Sequence, residues 1–166
     1  ALDANTTGTR NIAIGTAAYD SSDTENDNLA IGYNAMTTNG AGAEKNVAIG
    51  NYVMDAAITG DGNIGVGYNA LSANLGGYQN TAVGLQAMLA NTTGHNNSAY
   101  GTEALDANTT GVKNTAIGKS ALGGNTTADG NTAVGFEALY ANTTGTRNLA
   151  IGYQAYRASD TENDNI

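Results

Sequence analysis

The sequence repeats along its whole length, with the same pattern returning at every seventeenth position. Ten Asn residues from Asn11 to Asn165 mark the repeats, and eight of the nine intervals between them have this length. The interval from Asn28 to Asn46 is longer by one inserted residue. The consensus is N-x-A-[IV]-G-x-x-A-[LM]-x-x-N-T-T-G-x-x. A fixed short period is the signature of a chain built from stacked units, here called coils and numbered from position 1, the Asn.

Each coil is predicted to run strand, turn, strand, turn. The x-A-[IV]-G run favours a short strand, because β-branched residues suit strands and Gly permits a positive φ where the strand ends. Positions 6 to 10 predict a second short strand, and N-T-T-G predicts a turn held by Asn and Thr side chains. A helix is disfavoured, because Gly costs about 1 kcal/mol relative to Ala in a helix interior. We therefore expect an all-β, parallel β-solenoid.

Residues 1–166 are expected to form a single solenoid segment of nine to ten coils. Residues 4–28 match residues 141–165 at 20 of 25 positions. The offset between these two stretches equals eight coils plus the one inserted residue, which indicates a fragment of a longer repetitive fibre. Stacked coils place like residues above one another about every 4.8 Å.

Two columns stand out in the stacked arrangement. Position 1 predicts a structural ladder of hydrogen-bonded Asn side chains. Its members are Asn11, Asn28, Asn46, Asn63, Asn80, Asn97, Asn114, Asn131 and Asn148. Position 4 predicts an apolar ladder of Ile14, Ile31, Ile49, Val66, Val83, Ile117, Val134 and Ile151. Because side chains alternate across a strand, either this ladder or the position-3 Ala column faces inward, and the sequence leaves both arrangements open.

A thin coil contains few large apolar side chains to offset the entropy of ordering its backbone. Burying a second apolar column against sister chains would add stability, so we predict a homo-oligomer, most simply a three-fold bundle. The formal charge of −9 argues against nucleic acid and against charge-driven binding to an anionic membrane. The chain has no Cys for disulfides or thiolate metal sites. No apolar run approaches the roughly 18 residues that membrane insertion by this segment would require.

The repeats resemble two related groups of surface proteins. The segments Asn114–Gly118, Asn80–Gly84 and Asn131–Gly135 read Asn-Thr-Ala-[Ile/Val]-Gly, and Ala-Leu or Ala-Met and then Asn-Thr-Thr follow. This pattern is similar to the head repeat of YadA-type trimeric autotransporter adhesins and to related repeats of phage tail fibres and surface proteins. The resemblance implies a left-handed parallel β-roll, a homotrimer, display outside a cell or on a virion, and a role in attachment to a host surface glycan or protein.

The acidic turns are the candidate cation sites. Carboxylates alternate with Asn and Thr in residues 23–28 and 160–165, and such oxygens suit Ca²⁺. The candidate ligands are Asp23, Glu25, Asp27, Asp160, Glu162 and Asp164. The alternative, which we favour, is that both turns are solvated loops and that the chain binds no cofactor.

Two further columns are candidates for function. Position 14 carries a Thr column that includes Thr93, Thr110, Thr127 and Thr144, which a solenoid could use to bind ice or another ordered surface. Position 6 carries Tyr33, Tyr68, Phe136 and Tyr153, which suit oligomer contact or packing better than glycan contact.

The only His, His95, lies in a turn and lacks the nucleophile and orienting partner that catalysis requires. We therefore expect no enzyme activity. The leading hypothesis is a structural and adhesive segment of a homotrimeric extracellular fibre. The alternatives are an ice-binding solenoid and a passive spacer whose parent chain binds elsewhere.

Overall fold

The computed structural model describes residues 1–21, 24–38, 40, 42–158 and 160–166. These residues contain nine strands, β1 to β9. None of the described residues lies in a helix. The strands are Ile12–Ile14, Leu29–Ile31, Val47–Ile49, Ile64–Val66, Thr81–Val83, Ser98–Tyr100, Thr115–Ile117, Thr132–Val134 and Leu149–Ile151. The described residues therefore include no helix that is long and apolar enough to cross a membrane.

The nine strands form one parallel sheet in chain order, with one strand from each coil. The register joins equivalent positions, as in Ala116 beside Ala133 and Ile117 beside Val134. The inserted residue between Asn28 and Asn46 leaves this register intact, because Ala30 still pairs with Ala48. The predicted all-β, parallel β-solenoid is confirmed.

The inward side of each strand is the side that carries Ala. The position-3 Ala is buried in the inner coils, whereas the position-4 residue is partly or largely exposed, as Ala116 and Ile117 illustrate. The space inside is filled mainly by Ala at positions 3 and 8 and by one large residue at position 9, such as Met88 or Leu105. The roll is therefore slim, and the apolar ladder lies on its outside.

The prediction of a second strand at positions 6 to 10 is wrong. This segment is a chain of turns, and its residues at positions 7 and 9 have left-handed φ angles, as in Asn69 at 56° and Leu71 at 54°. An extended strand would point two successive side chains to opposite faces. The left-handed residues instead allow Ala70 and Leu71 to be buried side by side. Both side chains therefore help to fill the interior of the roll.

Glycine at position 5 is required by close contact between coils. Gly101 has a φ of 137°, and a Cβ added there would lie 2.6 Å from the carbonyl oxygen of Gly118 in the next coil. That distance is shorter than any normal contact, and the φ value is one that L side chains rarely adopt. Gly therefore ends each strand and lets the next coil stack directly above it.

Candidate functional site

The position-1 Asn column connects the coils through one amide per coil. The Nδ2 of Asn114 donates to the carbonyl oxygen of Ala128 in the same coil at 2.8 Å. The Oδ1 of Asn114 accepts the backbone N–H of Asn131 in the next coil at 2.9 Å. One side chain thus closes its own coil and bonds the coil above, and the same pair of bonds recurs along the column.

A second Asn ladder occupies position 12, and sequence reasoning did not identify it as a ladder. Its amides bond one another directly, since Nδ2 of Asn108 donates to Oδ1 of Asn91 at 2.8 Å. The same Nδ2 donates to the carbonyl oxygen of Gly111 at 3.1 Å and fixes the turn. The buried members are Asn74, Asn91, Asn108, Asn125 and Asn142. The recurrence of Asn in the N-T-T-G segment was the available signal.

The outer face of the sheet exposes apolar side chains along the described chain. It consists of the position-2 and position-4 side chains of β1 to β9, and we call it the sheet face. Ile14, Ile117 and Ile151 on this face are 59%, 42% and 68% exposed. Position 2 contributes Ile12, Leu29, Val47, Ile64, Thr81, Ser98, Thr115, Thr132 and Leu149. Position 4 contributes the apolar ladder together with Tyr100.

The acidic turns do not come together as cation ligands in the described residues. Asp27 is bonded by the guanidinium of Arg10, whose Nη2 lies 2.7 Å from Oδ2 of the carboxylate. Asp164 is bonded by Arg147 in the same way, at 2.6 and 2.8 Å. In each pair, hydrogen bonding to the guanidinium is the main cause that lowers the pKa of the carboxyl group. Each arginine precedes its aspartate by one coil.

Three of the remaining candidate ligands, Glu25, Asp160 and Glu162, are bonded to protein groups. Glu25 is buried, and its Oε1 accepts the backbone N–H of Gly42 at 3.1 Å. Asp160 accepts the hydroxyl of Thr143, and Glu162 accepts backbone N–H groups of its own turn. Asp23 lies outside the described residues. No group of three or more His, Cys, Asp or Glu side chains in the described ranges is placed to hold a metal ion.

The two Thr columns have different environments. The position-13 hydroxyls bond the coil above, as Thr92 does to the carbonyl oxygen of Thr109 at 2.9 Å. The position-14 side chains are exposed, including Thr93, Thr110, Thr127 and Thr144. The exposed hydroxyls therefore form a single file, because the neighbouring hydroxyls are already bonded within the solenoid.

Exposed aromatic rings cluster at positions 6 and 7. The ring of Tyr52 lies edge-on between Tyr33 and Tyr68, with centroid distances of 5.4 and 5.7 Å. Desolvation by burial is the main cause that raises the pKa of the Tyr52 phenol. Farther along the same columns, Phe136 stacks on Tyr153 at 5.3 Å.

His95 stacks on the ring of Tyr78 with a centroid distance of 4.4 Å and an angle of 12°. Its Nδ1 lies 3.4 Å from the carbonyl oxygen of Thr93, in the same turn. These are packing contacts, and the described residues do not arrange a nucleophile beside this imidazole.

Comparisons of this chain with protein families, with characterised proteins and with solved structures give no match.

Proposed function

We propose that this chain is a structural and adhesive segment of a homotrimeric extracellular fibre, of the kind formed by surface adhesins or phage tail fibres. The observation that carries the proposal is the sheet face. Its position-4 column of Ile, Val and one Tyr runs through all nine strands, and its position-2 column is apolar in five of them. Monomeric soluble proteins rarely expose a contiguous apolar patch of more than a few hundred Å². Eight steps of about 4.8 Å make this face about 38 Å long, which is long enough to form such a patch.

A second copy of the chain is the partner that best fits the sheet face. The face repeats its chemistry once per coil, and a partner must repeat with the same rise to remain in register over nine coils. Another copy of the chain has the same rise per coil, because it has the same sequence and fold. Three copies packed around one axis bury the ladder of every chain, and such a closed arrangement leaves no sheet face open for further addition.

The interior of the roll supports a mechanical role along one axis. Each coil is joined to its neighbours by strand pairing and by two Asn ladders. A rod of this kind holds exposed side chains at fixed intervals, as an attachment fibre requires. The motif Asn114–Gly118 supports the same interpretation, because it contains the ladder amide, the inward Ala and the outward Ile.

Light scattering on size-exclusion fractions tests the oligomer. We expect a mass three times the chain mass of 16.7 kDa. Ile117→Lys places a charge on the sheet face without entering the roll, so it should reduce the mass to that of one chain while the β-sheet circular dichroism remains. Thr127→Lys, at an exposed turn position outside the strands, is the matched control and should stay trimeric. A monomeric parent protein, or a trimer unaffected by Ile117→Lys, would contradict the proposal.

A further inference from the structure

Three successive coils carry a checkerboard of Tyr and Asn at positions 6 and 7. The sequence there is Tyr33-Asn34, then Asn51-Tyr52, then Tyr68-Asn69, so the middle coil exchanges the two residue types. We propose that this checkerboard binds a neutral oligosaccharide. The inference rests on the proposed attachment function and assigns it a place and a class of ligand.

The checkerboard presents aromatic surface in two orientations. Tyr33 and Tyr68 are 45% and 48% exposed, and both meet the ring of Tyr52 edge-on, at 81° and 77°. Each Tyr is one coil, about 4.8 Å, from the next along the axis. Alternate pyranose rings of a chain that lies along the solenoid can therefore place their apolar C–H faces on Tyr33 and Tyr68, with Tyr52 edge-on between them.

The backbone that carries the checkerboard is hydrogen-bonded to the neighbouring coils. The N–H of Tyr33 donates to Oδ1 of Asn51 at 2.9 Å, and the N–H of Tyr52 donates to the carbonyl oxygen of Tyr33 at 2.9 Å. The N–H of Asn69 donates to the carbonyl oxygen of Asn51 at 3.1 Å. Little conformational entropy is then lost when a ligand binds. Tyr also provides large contact area with few rotatable bonds.

The polar chemistry of the patch suits hydroxyl groups. An amide side chain both donates and accepts hydrogen bonds, and each coil places one beside its Tyr. The six checkerboard side chains include no cation, and the chain as a whole carries a charge of −9. A polyanionic or sialylated glycan would be repelled, so the recognised sugar is neutral.

The local character of the patch distinguishes it from a surface buried by sister chains. An interface repeated along the axis would show similar chemistry in every coil. In later coils the same two columns contain Glu103, Lys119 and Glu137, and the aromatic residues there, Phe136 and Tyr153, both lie at position 6 without the exchange with Asn. The checkerboard is thus confined to three coils, as expected for a ligand of a few sugar units.

The test is saturation-transfer NMR with chitohexaose and cellohexaose as neutral probes and sialyllactose as the anionic probe. We expect a neutral hexasaccharide to bind and Tyr33→Ala/Tyr68→Ala to weaken it at least tenfold. Tyr140→Ala, which removes an exposed Tyr outside the patch, is the matched control and should bind as the parent does.

The outcomes separate this inference from the proposed function. Light scattering on the same samples reports the oligomer, so a monomer that still binds the sugar refutes the trimer alone. Three results would overturn the sugar site: no binding of either neutral probe, a preference for sialyllactose, or equal binding by the double variant and its control. Protection of Tyr33 and Tyr68 from nitration in the sugar-free oligomer would also overturn it, because a sister chain would then cover the rings.

Discussion

Removing one amide from the position-1 ladder should destabilise the fold severely. In Asn114→Ala, the backbone N–H of Asn131 loses its acceptor at 2.9 Å. The carbonyl oxygen of Ala128 loses its bond from Asn114 at 2.8 Å and keeps only the longer bond from Nδ2 of Asn125 at 3.2 Å. Asn114 and Asn131 are almost fully buried, and Ala128 is buried as well, so solvent is poorly placed to replace either bond. The buried N–H of Asn131 without a partner costs about 1–3 kcal/mol, and the bond lost at the Ala128 carbonyl oxygen costs about 0.5–1.5 kcal/mol, which together give a loss of about 1.5–4.5 kcal/mol. Whole domains are typically stable by only about 5–15 kcal/mol.

Urea unfolding followed by far-UV circular dichroism measures this loss as a shift in the transition midpoint. Thr110→Ala is the control, because it removes an exposed hydroxyl from the adjacent turn and should change stability by no more than about 0.5 kcal/mol. Unfolding of both variants at the same urea concentration would refute this prediction, because the ladder amide would then contribute no more than a surface hydroxyl.

Two further predictions concern the backbone. Gly101→Ala should cost about 3 kcal/mol or more in urea unfolding, because the new Cβ would lie 2.6 Å from the carbonyl oxygen of Gly118 at a φ of 137°. Gly76→Ala is its control and should cost little, since the nearest atoms would be 3.8 Å away; equal losses would rule out close contact as the cause. Lys113→Gly should raise stability by about 0.5–1 kcal/mol, because Lys113 has a left-handed φ of 58° that Gly adopts without strain. A lower urea midpoint for Lys113→Gly would contradict this.

The repeat alone predicts the stacking, because Asn, Ala and Gly recur at fixed intervals and only stacked coils bring them together. The prediction of a second strand was wrong for a physical reason. Met88 and Leu105 have left-handed φ angles of 53° and 55°, although neither residue type favours that conformation. Packing inside the roll and bonds between coils impose it, and local sequence carries no sign of either.

The candidate sites, like the fold, could be predicted only in part from the sequence. The pairing of Arg10 with Asp27 follows from the period, since the two residues are one repeat apart and are therefore neighbours in a stack. The direction of the apolar ladder did not follow, because a three-residue strand has no preferred face until the residues opposite it are known. The order of Tyr and Asn in the checkerboard also follows from the period, whereas the edge-on contacts of Tyr52 with Tyr33 and Tyr68 do not.

Coverage of the outward apolar ladder by sister chains is the property on which the proposed fibre depends. Sedimentation equilibrium across a hundredfold range of protein concentration measures this most directly. We expect one species with three times the mass of the 16.7 kDa chain. A single species of 16.7 kDa that remains in solution at the highest concentration would contradict this, since the ladder would then be stable in water without a partner.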